Sequence, residues 1–494
     1  MGHYDGAEKV NPLADATRIH FVGIGGIGMS ALAELLVARG HTVTGSDVRS
    51  SALTERLRSL GVRVNLGHEA EAVHGADLVI ATSAAKPDNP ELVEAARLGL
   101  RVVKRAELLG WLMAESYGLA VAGTHGKTTT TGMLAFILQR AGLNPTALIG
   151  GEPLDFPSHG LLGTGPYLVA EADEFDRSFL RLWPKVAAIT SVEADHLDCY
   201  ANLEEIVAAF REFASRVPAD GLLVTSADDP VLRQMDVPAP RQSYGFASDA
   251  DWRIVECISV SPYGTRFAFV TSAGARHECD LRLSGRHYAQ NALAAIVAAS
   301  HVGVEPASGA RLLAAFKGTR RRFELLGEAA GVVVIDDYGH HPTEVRATLR
   351  AARERHAGAI WCVFQPHTVS RTEKLLNEFA AAFGDADHLL VLPIYHPAGR
   401  EQEEQTVSSR DLVALVRHPD VRYVAALEEA AGLLETEAAA GDMVITMGAG
   451  DVDRVGKDLL SRLKRSDVSH QPSAGIQLAR EPGSQNPESI TQDQ

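Results

Sequence analysis

Apolar and polar positions along the chain repeat one alternation many times over. A short apolar run comes first, then a turn rich in glycine or acid, then a stretch whose apolar residues recur at helical spacing. Residues 119–138 show it best. Leu119 to Ala122 predicts a buried strand, Gly123 to Gly126 a turn, and Met133 to Leu138 the apolar part of a helix. An earlier unit opens with IHFV and Gly23-Ile24-Gly25-Gly26-Ile27-Gly28, followed by a helix of alanines and leucines. Its second strand starts at His41 and ends at Asp47. A helix over 53–60, a strand over 77–82 and a helix over 90–98 continue a doubly wound sheet, giving a first domain over 1–113. A central domain over 114–323 gains a strand from Tyr167 to Ala170, a strand that KVAAITSVEADHLDCY carries to Asp195, and an alanine-rich helix over 284–299 with Asn291 near its start. GVVVIDDYGHHPTEV opens a third doubly wound unit over 324–464, in which Pro342 suits a first helical turn. Helices over 372–383 and near 409–417 alternate with the apolar runs that follow. The tail over 465–494 is rich in Ser, Gln, Pro and Glu, shows no apolar period, and is expected to be disordered.

Composition narrows the class. A chain of 494 residues exceeds what one core serves, so length alone also points to about three domains. An apolar fraction of 46% describes a globular protein, and no apolar run reaches the roughly 18 residues that span a bilayer. The N-terminal stretch has no apolar core of the kind an export signal needs, so a cytoplasmic enzyme without a membrane partner is expected. Cys199, Cys257, Cys279 and Cys362 are scattered without a C-x-x-C, which suits reduced thiols and argues against a zinc ribbon. A net charge of −16 with no basic cluster argues against nucleic acid as a partner.

The chemistry gathers at the turns. In Gly123-Thr124-His125-Gly126-Lys127-Thr128-Thr129, the glycines let backbone N–H groups close around phosphate oxygens. Lys127 can reach the outer phosphates, and the Thr128 hydroxyl can ligate Mg²⁺. The loop is shorter than the usual G-x-x-x-x-G-K-[ST], but Gly-Lys-Thr at a strand-to-helix junction points to ATP or GTP rather than to an ordinary turn. Glu171 ends the neighbouring strand, where a Mg²⁺ shared with nucleotide phosphates needs a carboxylate; Asp173, Glu174 and Asp176 follow it. Asp195, His196 and Asp198 suit a second metal, or else a capping pair. Gly23 to Gly28 with Asp47 has the spacing of a dinucleotide fingerprint, which NAD, FAD or another diphosphate ligand would satisfy equally. Two nucleotide-type sites in one chain suit a synthetase better than a redox enzyme. Three adjacent arginines, Arg320 to Arg322, read as a solvated face, with Arg322 the one that can turn to phosphates. Asp336, Asp337, Tyr338, His340 and His341 cluster at a strand end, where contacts to substrate or nucleotide are expected.

Taken together, GIGGIGMS, AGTHGKTTTT, EADE with DRSF, EADHLD, GRH with NALAA, RRRFE, DDYGHHPTE, FQPH with SRT, and TMGAGD resemble the Mur ligases in order and register from about residue 18 to 464. The resemblance implies a three-domain α/β architecture: a Rossmann-like N-terminal domain for a UDP-sugar, a central P-loop-type ATPase domain, and a Rossmann-like C-terminal domain. It implies ATP- and Mg²⁺-dependent amide ligation through an acyl phosphate, in peptidoglycan precursor synthesis. The partners implied are UDP-N-acetylmuramate and L-alanine, with the protein a monomer or homodimer. Carried over residue by residue, Lys127 meets the transferring phosphoryl group, with Gly123, Thr124, His125, Gly126, Thr128 and Thr129 around the nucleotide. Thr128 and Glu171 hold the first metal and His196 the second; Asn291 meets adenine, Arg322 the phosphates and Asp337 the ribose. Gly25, Gly26, Gly28, Ser46, Asp47 and Arg105 take the UDP-sugar, while Tyr338, His340, His367 and Arg371 meet the amino acid and the sugar's carboxylate.

Phe210 stands where several later-acting members carry a lysine whose carbamate helps to hold metal, which suits the alanine-adding branch. Other positions depart from the family pattern. Phe175 replaces a usual serine, Ser191 and Tyr288 replace usual asparagines, and Thr368 lies where many members have arginine. The competing readings are a recycling ligase that adds a preformed peptide to the same UDP-sugar, a NAD-dependent oxidoreductase, and an inactive paralogue. The last two leave Lys127, Glu171, His196 and Asp337 without a use.

Overall fold

The computed structural model describes residues 11–197, 199–260, 264–397 and 406–470. Three sheets carry the chain, and each is built from the strand-turn-helix alternation of the sequence. The first has five parallel strands in the spatial order Arg63–Leu66, Thr42–Asp47, Arg18–Val22, Leu78–Ala81, Arg101–Lys104. The strand order reverses beside Arg18–Val22, so the turn Gly23–Gly28 opens at the switch point where α/β sheets take their ligands.

In the second sheet, of ten strands, Tyr117–Ala122 lies between Val186–Ile189 and Tyr167–Glu171, parallel to both. The register pairs Val121 with Glu171, which sets that carboxylate level with the start of the phosphate loop. Helix Lys127–Arg140 packs beside Arg286–His301, whose alanines Ala289, Ala292, Ala295 and Ala299 are fully buried and let the two helices approach closely. The strands Trp252–Val260, Gly264–Val270 and Arg276–Leu281 form an antiparallel meander at one edge. The third sheet has six strands, of which Glu324–Ala329 is antiparallel to Val332–Asp337 and the others run parallel. A continuous apolar core runs from the second sheet into the third, and another joins the first sheet to the second.

Several boundaries differ from the sequence reading. The strand expected to run to Asp195 stops at Ile189, because both partners, Tyr117–Ala122 and Leu222–Ser226, hold it only that far. Residues 190–196 then cross over the phosphate loop, with Thr190 N–H donating to Ala122 O at 3.0 Å. The helix expected over 372–383 is two short helices, Val369–Lys374 and Leu376–Ala380, because Leu375 (φ −113°, ψ 21°) leaves helical geometry. Asn291 falls in the second turn of its helix rather than the first. The last helix, Asp453–His470, continues past Arg465 into the stretch expected to be disordered, since extending a formed helix costs far less than starting one. Residues 471–494 lie outside the described residues.

The first and second sheets meet at a close approach. A Cβ on Gly110, in helix Arg105–Ala114, would lie 2.1 Å from the carbonyl oxygen of Arg181. Gly110→Ala must push the two backbones apart, so a loss of about 1–3 kcal/mol is expected in denaturant unfolding, as for other overpacked sites. An unchanged midpoint would show that this contact yields freely.

Candidate active site

Helix Lys127–Arg140 opens on Gly126, whose φ of 80° lies in the left-handed region. A Cβ there would sit 2.6 Å from Asn291 Oδ1, and one on Gly123 (φ 128°) would sit 2.1 Å from Thr190 Oγ1. Both glycines are therefore required by the protein's own neighbours, not only by a phosphate. Ser191 fastens the loop: its carbonyl accepts from Thr124 N–H at 2.9 Å and its Oγ from His125 N–H at 3.1 Å. Lys127 Nζ turns back to donate to Gly123 O at 2.7 Å and to both Glu174 oxygens at 2.9 and 2.8 Å. Burial alone lowers the pKa of this ammonium, but Glu174, Asp173 and Glu171 outweigh it and hold the pKa above its ordinary value.

Thr128 and Glu171 come together. The Thr128 hydroxyl donates to Glu171 Oε1 at 3.2 Å, and Glu171 Oε2 accepts from Gly150 N–H at 2.9 Å. His196 stands in a separate group with Asp173 and Glu174, its Nε2 3.9 Å from Glu174 Oε1. Burial lowers the His196 pKa and favours the neutral ring that ligates metals. Asp198 lies outside the described residues. Phe210 is buried against Phe179, with ring centroids 5.1 Å apart, and offers no ligand atom.

A cavity of about 290 Å³ adjoins the loop, and His125, Gly126, Thr129, Asn291, Arg322 and Asp337 all line it. The three arginines before it have three fates rather than one solvated face. Arg320 is half-exposed and pairs with Glu152 and Glu324. Arg321 donates to Asp336 (2.9 Å) and to the carbonyls of Gly450 and Gly448 (both 2.8 Å), so it binds its own fold together. Arg322 lies 5.0 Å over the Tyr338 ring and 3.6 Å from Glu344 Oε1, facing the cavity. Asp337 reaches the cavity with both oxygens already accepting backbone N–H, from Gly339 at 2.7 Å and Phe323 at 2.8 Å. Burial pushes its pKa up to about 6. Tyr288, which lines the same cavity, is buried with its ring 4.2 Å from that of His287.

A second cavity, also about 290 Å³, spans the first two sheets and joins Gly28 and Arg105 to Glu171 and Asp173. Nearby, Gly25 N–H donates to Asp47 Oδ2 at 2.8 Å, and Gly26 precedes the helix Ile27–Ala38. Ser46 does not face this side. Strand alternation turns its side chain inward, where Oγ donates to the buried Glu91 at 2.6 Å and lies 3.0 Å from His68 Nδ1.

A third cavity, about 200 Å³, is lined by Phe175, Asp195, His196, His367, Thr368 and Arg371 among others. Arg371 donates to Asp195 Oδ1 from Nε (3.0 Å) and Nη2 (2.8 Å). Burial raises the Asp195 pKa, but Arg371 and then His196 reverse this and hold it far below the carboxylate range. His340 Nδ1 is 3.0 Å from Tyr338 O, which only accepts, so Nδ1 carries the proton and Nε2 the lone pair. Burial and Arg371 push the His340 pKa down to about 3. His340 meets His367 edge-on at 5.6 Å, and His367 stacks on Tyr395 at 5.7 Å. Thr368 is buried in the left-handed region (φ 65°), and its hydroxyl accepts from Arg371 N–H at 3.3 Å, capping the helix that presents Arg371. Sequence reasoning missed Glu174 as the partner of Lys127 and Asp195 as the partner of Arg371. Both are long-range pairs without a local signal.

The comparisons with known proteins agree over about nine-tenths of the chain. Residues 18–117 match the model of the Mur ligase family catalytic domain, 121–299 the Mur ligase middle domain, and 321–450 the Mur ligase glutamate ligase domain. The chain belongs to the Mur ligase family. UDP-N-acetylmuramate–L-alanine ligases of Anaeromyxobacter dehalogenans and Rubrobacter xylanophilus are 45% and 46% identical to it. These matches cover 91% and 90% of this chain and 98% and 100% of the relatives. Among solved structures, a UDP-N-acetylmuramate–alanine ligase of Thermotoga maritima superposes with a TM-score of 0.76 at 30% identity, over 91% of this chain and 99% of that one. A murein peptide ligase of Psychrobacter arcticus gives 0.69 at 29% identity, with the same coverage of each chain. The Mur ligase architecture of three α/β domains is the fold observed, and a Mur ligase is an ATP-dependent amide-forming enzyme. No helix among the described residues is long and apolar enough to cross a membrane.

One charge at this site sets a pH dependence. His125 lies with Nε2 3.4 Å from Glu193 and Nδ1 3.3 Å from Glu344. Burial opposes its charge, but the two carboxylates prevail and push its pKa up to about 9. Against an unfolded value near 6.5, this contributes about 3 kcal/mol. The contribution is fully present below pH ~6.5 and is lost as pH rises through about 9. The ligand-free protein should therefore lose thermal stability across that window, and His125→Gln should flatten the loss. A wild-type melting temperature unchanged between these pH values contradicts the assignment.

Proposed function

We propose that this chain joins L-alanine to the carboxylate of UDP-N-acetylmuramate, with ATP cleaved to ADP and phosphate, in the making of peptidoglycan precursors. The observation that carries the reading is that the charge of one buried lysine reaches groups of three cavities: Lys127 follows His125 and Gly126, which line the first, and couples electrostatically to Glu171 and Asp173, which line the second, and to His196, which lines the third with Arg371. The UDP-sugar lies along Gly25, Gly26, Gly28 and Asp47, and Arg105 directs its carboxylate toward Glu171 and Asp173. ATP lies between the loop and Arg322, with Asn291 and Asp337 beside it.

Lys127, on leaving Glu174, neutralises charge on the γ-phosphoryl group as the sugar's carboxylate attacks it. An acyl phosphate forms and ADP departs. The amine of alanine then attacks the acyl carbon, and phosphate leaves. Arg371 uses two of its five N–H donors on Asp195, which leaves others for the amino acid's carboxylate. The His340 Nε2 lone pair can accept an N–H from the amine and so orient it. Thr128 with Glu171 presents an oxygen pair that fits Mg²⁺, and His196 with Asp173 and Glu174 fits a second ion. A bound Mg²⁺ would neutralise phosphate charge.

The 200 Å³ acceptor cavity favours a small amino acid over the preformed peptide of a recycling ligase. Phosphate release with ATP, Mg²⁺ and UDP-N-acetylmuramate tests the choice. L-Alanine should be the best acceptor, glycine and L-serine slower, and L-Ala-γ-D-Glu-diaminopimelate poor. Preference for the peptide overturns the reading. In the same assay Lys127→Ala should lose on the order of 10³-fold or more while keeping its circular dichroism spectrum. A folded variant with near-normal turnover removes the lysine from the mechanism.

A further inference from the structure

His125, Glu193 and His341 converge where the second and third sheets face each other, as a group distinct from those of Glu171 and His196. His125 belongs to the phosphate loop, Glu193 to the segment crossing over it, and His341 to the turn capping helix Pro342–Arg353. One ligand atom from each lies within 4.8 Å of the other two. His125 Nε2 is 3.4 Å from Glu193 Oε2, and His341 Nδ1 is 3.8 Å from the same oxygen. Ligand bonds of ~2.0–2.2 Å at tetrahedral angles place two donor atoms ~3.3–3.5 Å apart, so His125 and Glu193 already stand at that spacing and His341 must move inward to complete the site.

The outer atoms are arranged to support this. His125 Nδ1 lies 3.3 Å from Glu344 Oε1 and His341 Nε2 lies 3.4 Å from Ala194 O, while the Thr343 hydroxyl donates at 2.7 Å to Glu193 Oε2, the oxygen that faces both rings. Imidazoles that bind metal characteristically give their far N–H to a carboxylate or carbonyl in this way. Three things compete with the ion: Thr343 N–H donates to His341 Nδ1 at 3.3 Å, the Thr343 hydroxyl donates to Glu193 Oε2 at 2.7 Å, and the proton that Glu193 and Glu344 hold on His125 must leave Nε2, so binding releases it and strengthens as pH rises. Two imidazoles and one carboxylate suit zinc and its neighbours, whereas Mg²⁺ prefers oxygen alone.

We infer that His125, Glu193 and His341 form a site for a divalent transition-metal ion of the zinc class, which ties the central domain to the C-terminal domain beside the nucleotide cavity. His125 and Glu193 both line that cavity, so the ion and the nucleotide oppose each other. Zinc is then an inhibitor that acts by weakening ATP binding, whichever acceptor the enzyme uses.

The test uses the full chain in excess Mg²⁺, with Zn²⁺ binding followed by calorimetry and Co²⁺ binding by visible absorption. One equivalent of Zn²⁺ should bind despite the Mg²⁺, and Co²⁺ should give the intense bands of four-coordinate geometry. His341→Asn keeps a residue that caps helices well, and Glu193→Gln keeps the shape of the side chain. Each should weaken Zn²⁺ by at least the roughly 10- to 100-fold that losing an outer partner alone costs. His196→Ala should leave this binding intact. Zn²⁺ should also raise the apparent KM for ATP in the wild type and not in His341→Asn. Absence of Zn²⁺ binding in excess Mg²⁺ overturns the inference. So does wild-type affinity in both variants with loss in His196→Ala, which assigns the ion to the Asp173–Glu174–His196 group.

Discussion

A lysine kept charged where burial opposes charge is the constraint on which this site depends. Lys127 is nearly buried, and its ammonium is satisfied by the Gly123 carbonyl and by Glu174, a carboxylate almost wholly out of solvent. Glu174 is in turn pinned through its backbone, whose carbonyl accepts the Tyr200 hydroxyl at 2.7 Å. Such a pair adds little net stability, since desolvating both ions offsets most of their attraction. Its value is positional. The ammonium has lost its water before any nucleotide arrives, so a phosphate that displaces Glu174 meets a donor already dehydrated and aimed.

The seam between the central and C-terminal domains is polar where it crosses the site. Arg371 reaches Asp195, Thr343 reaches Glu193, His341 contacts Ala194 O, and Lys374 donates to Leu197 O. All four contacts land on residues 193–197, the segment that also crosses the phosphate loop. One short segment therefore joins the phosphate loop on one side to Arg371 and Lys374 on the other. Charged and hydrogen-bonded seams separate more readily than apolar ones, because water can take over each partner, and the proposed reaction, with three substrates to admit and three products to release, requires that.

Local patterns made the fold legible. Apolar runs bounded by glycine or acid located most strands of the first and third sheets but only three of the ten in the second, and the Gly-Lys-Thr junction located the phosphate loop with Glu171 beside it, because the two strands are neighbours in register. What the sequence hid were partnerships that only tertiary structure creates. Nothing near Glu174 announces Lys127, and the turn that delivers it passes through left-handed residues at Asp176 and Arg177. Ser46 sits beside Asp47 in sequence but faces the opposite side of its strand, toward Glu91. Arg321 and Arg322 are adjacent and take unrelated roles, because Arg321 itself adopts a positive φ of 60° and swings the chain between them.

The departures from the family pattern become coherent when they are placed in space. Phe175 stands where a serine is usual and Thr368 where an arginine is usual, and both line the same 200 Å³ cavity. A larger residue on one side of the cavity accompanies a smaller one on the other. The phenyl ring also lies 5.2 Å from the His196 ring, and both line the cavity. Charge follows the same logic. Losing a guanidinium at position 368 does not leave Arg371 as the cavity's lone cation, because Lys374 lines it one helical turn further on. Thr368 contributes what an arginine could not without leaving the pocket: a short hydroxyl that caps the backbone of Arg371 and fixes the helix presenting it. That Phe175 and Thr368 share one cavity is not interpretable from the position of either in the sequence, because nearly two hundred residues separate them and only the fold brings them together.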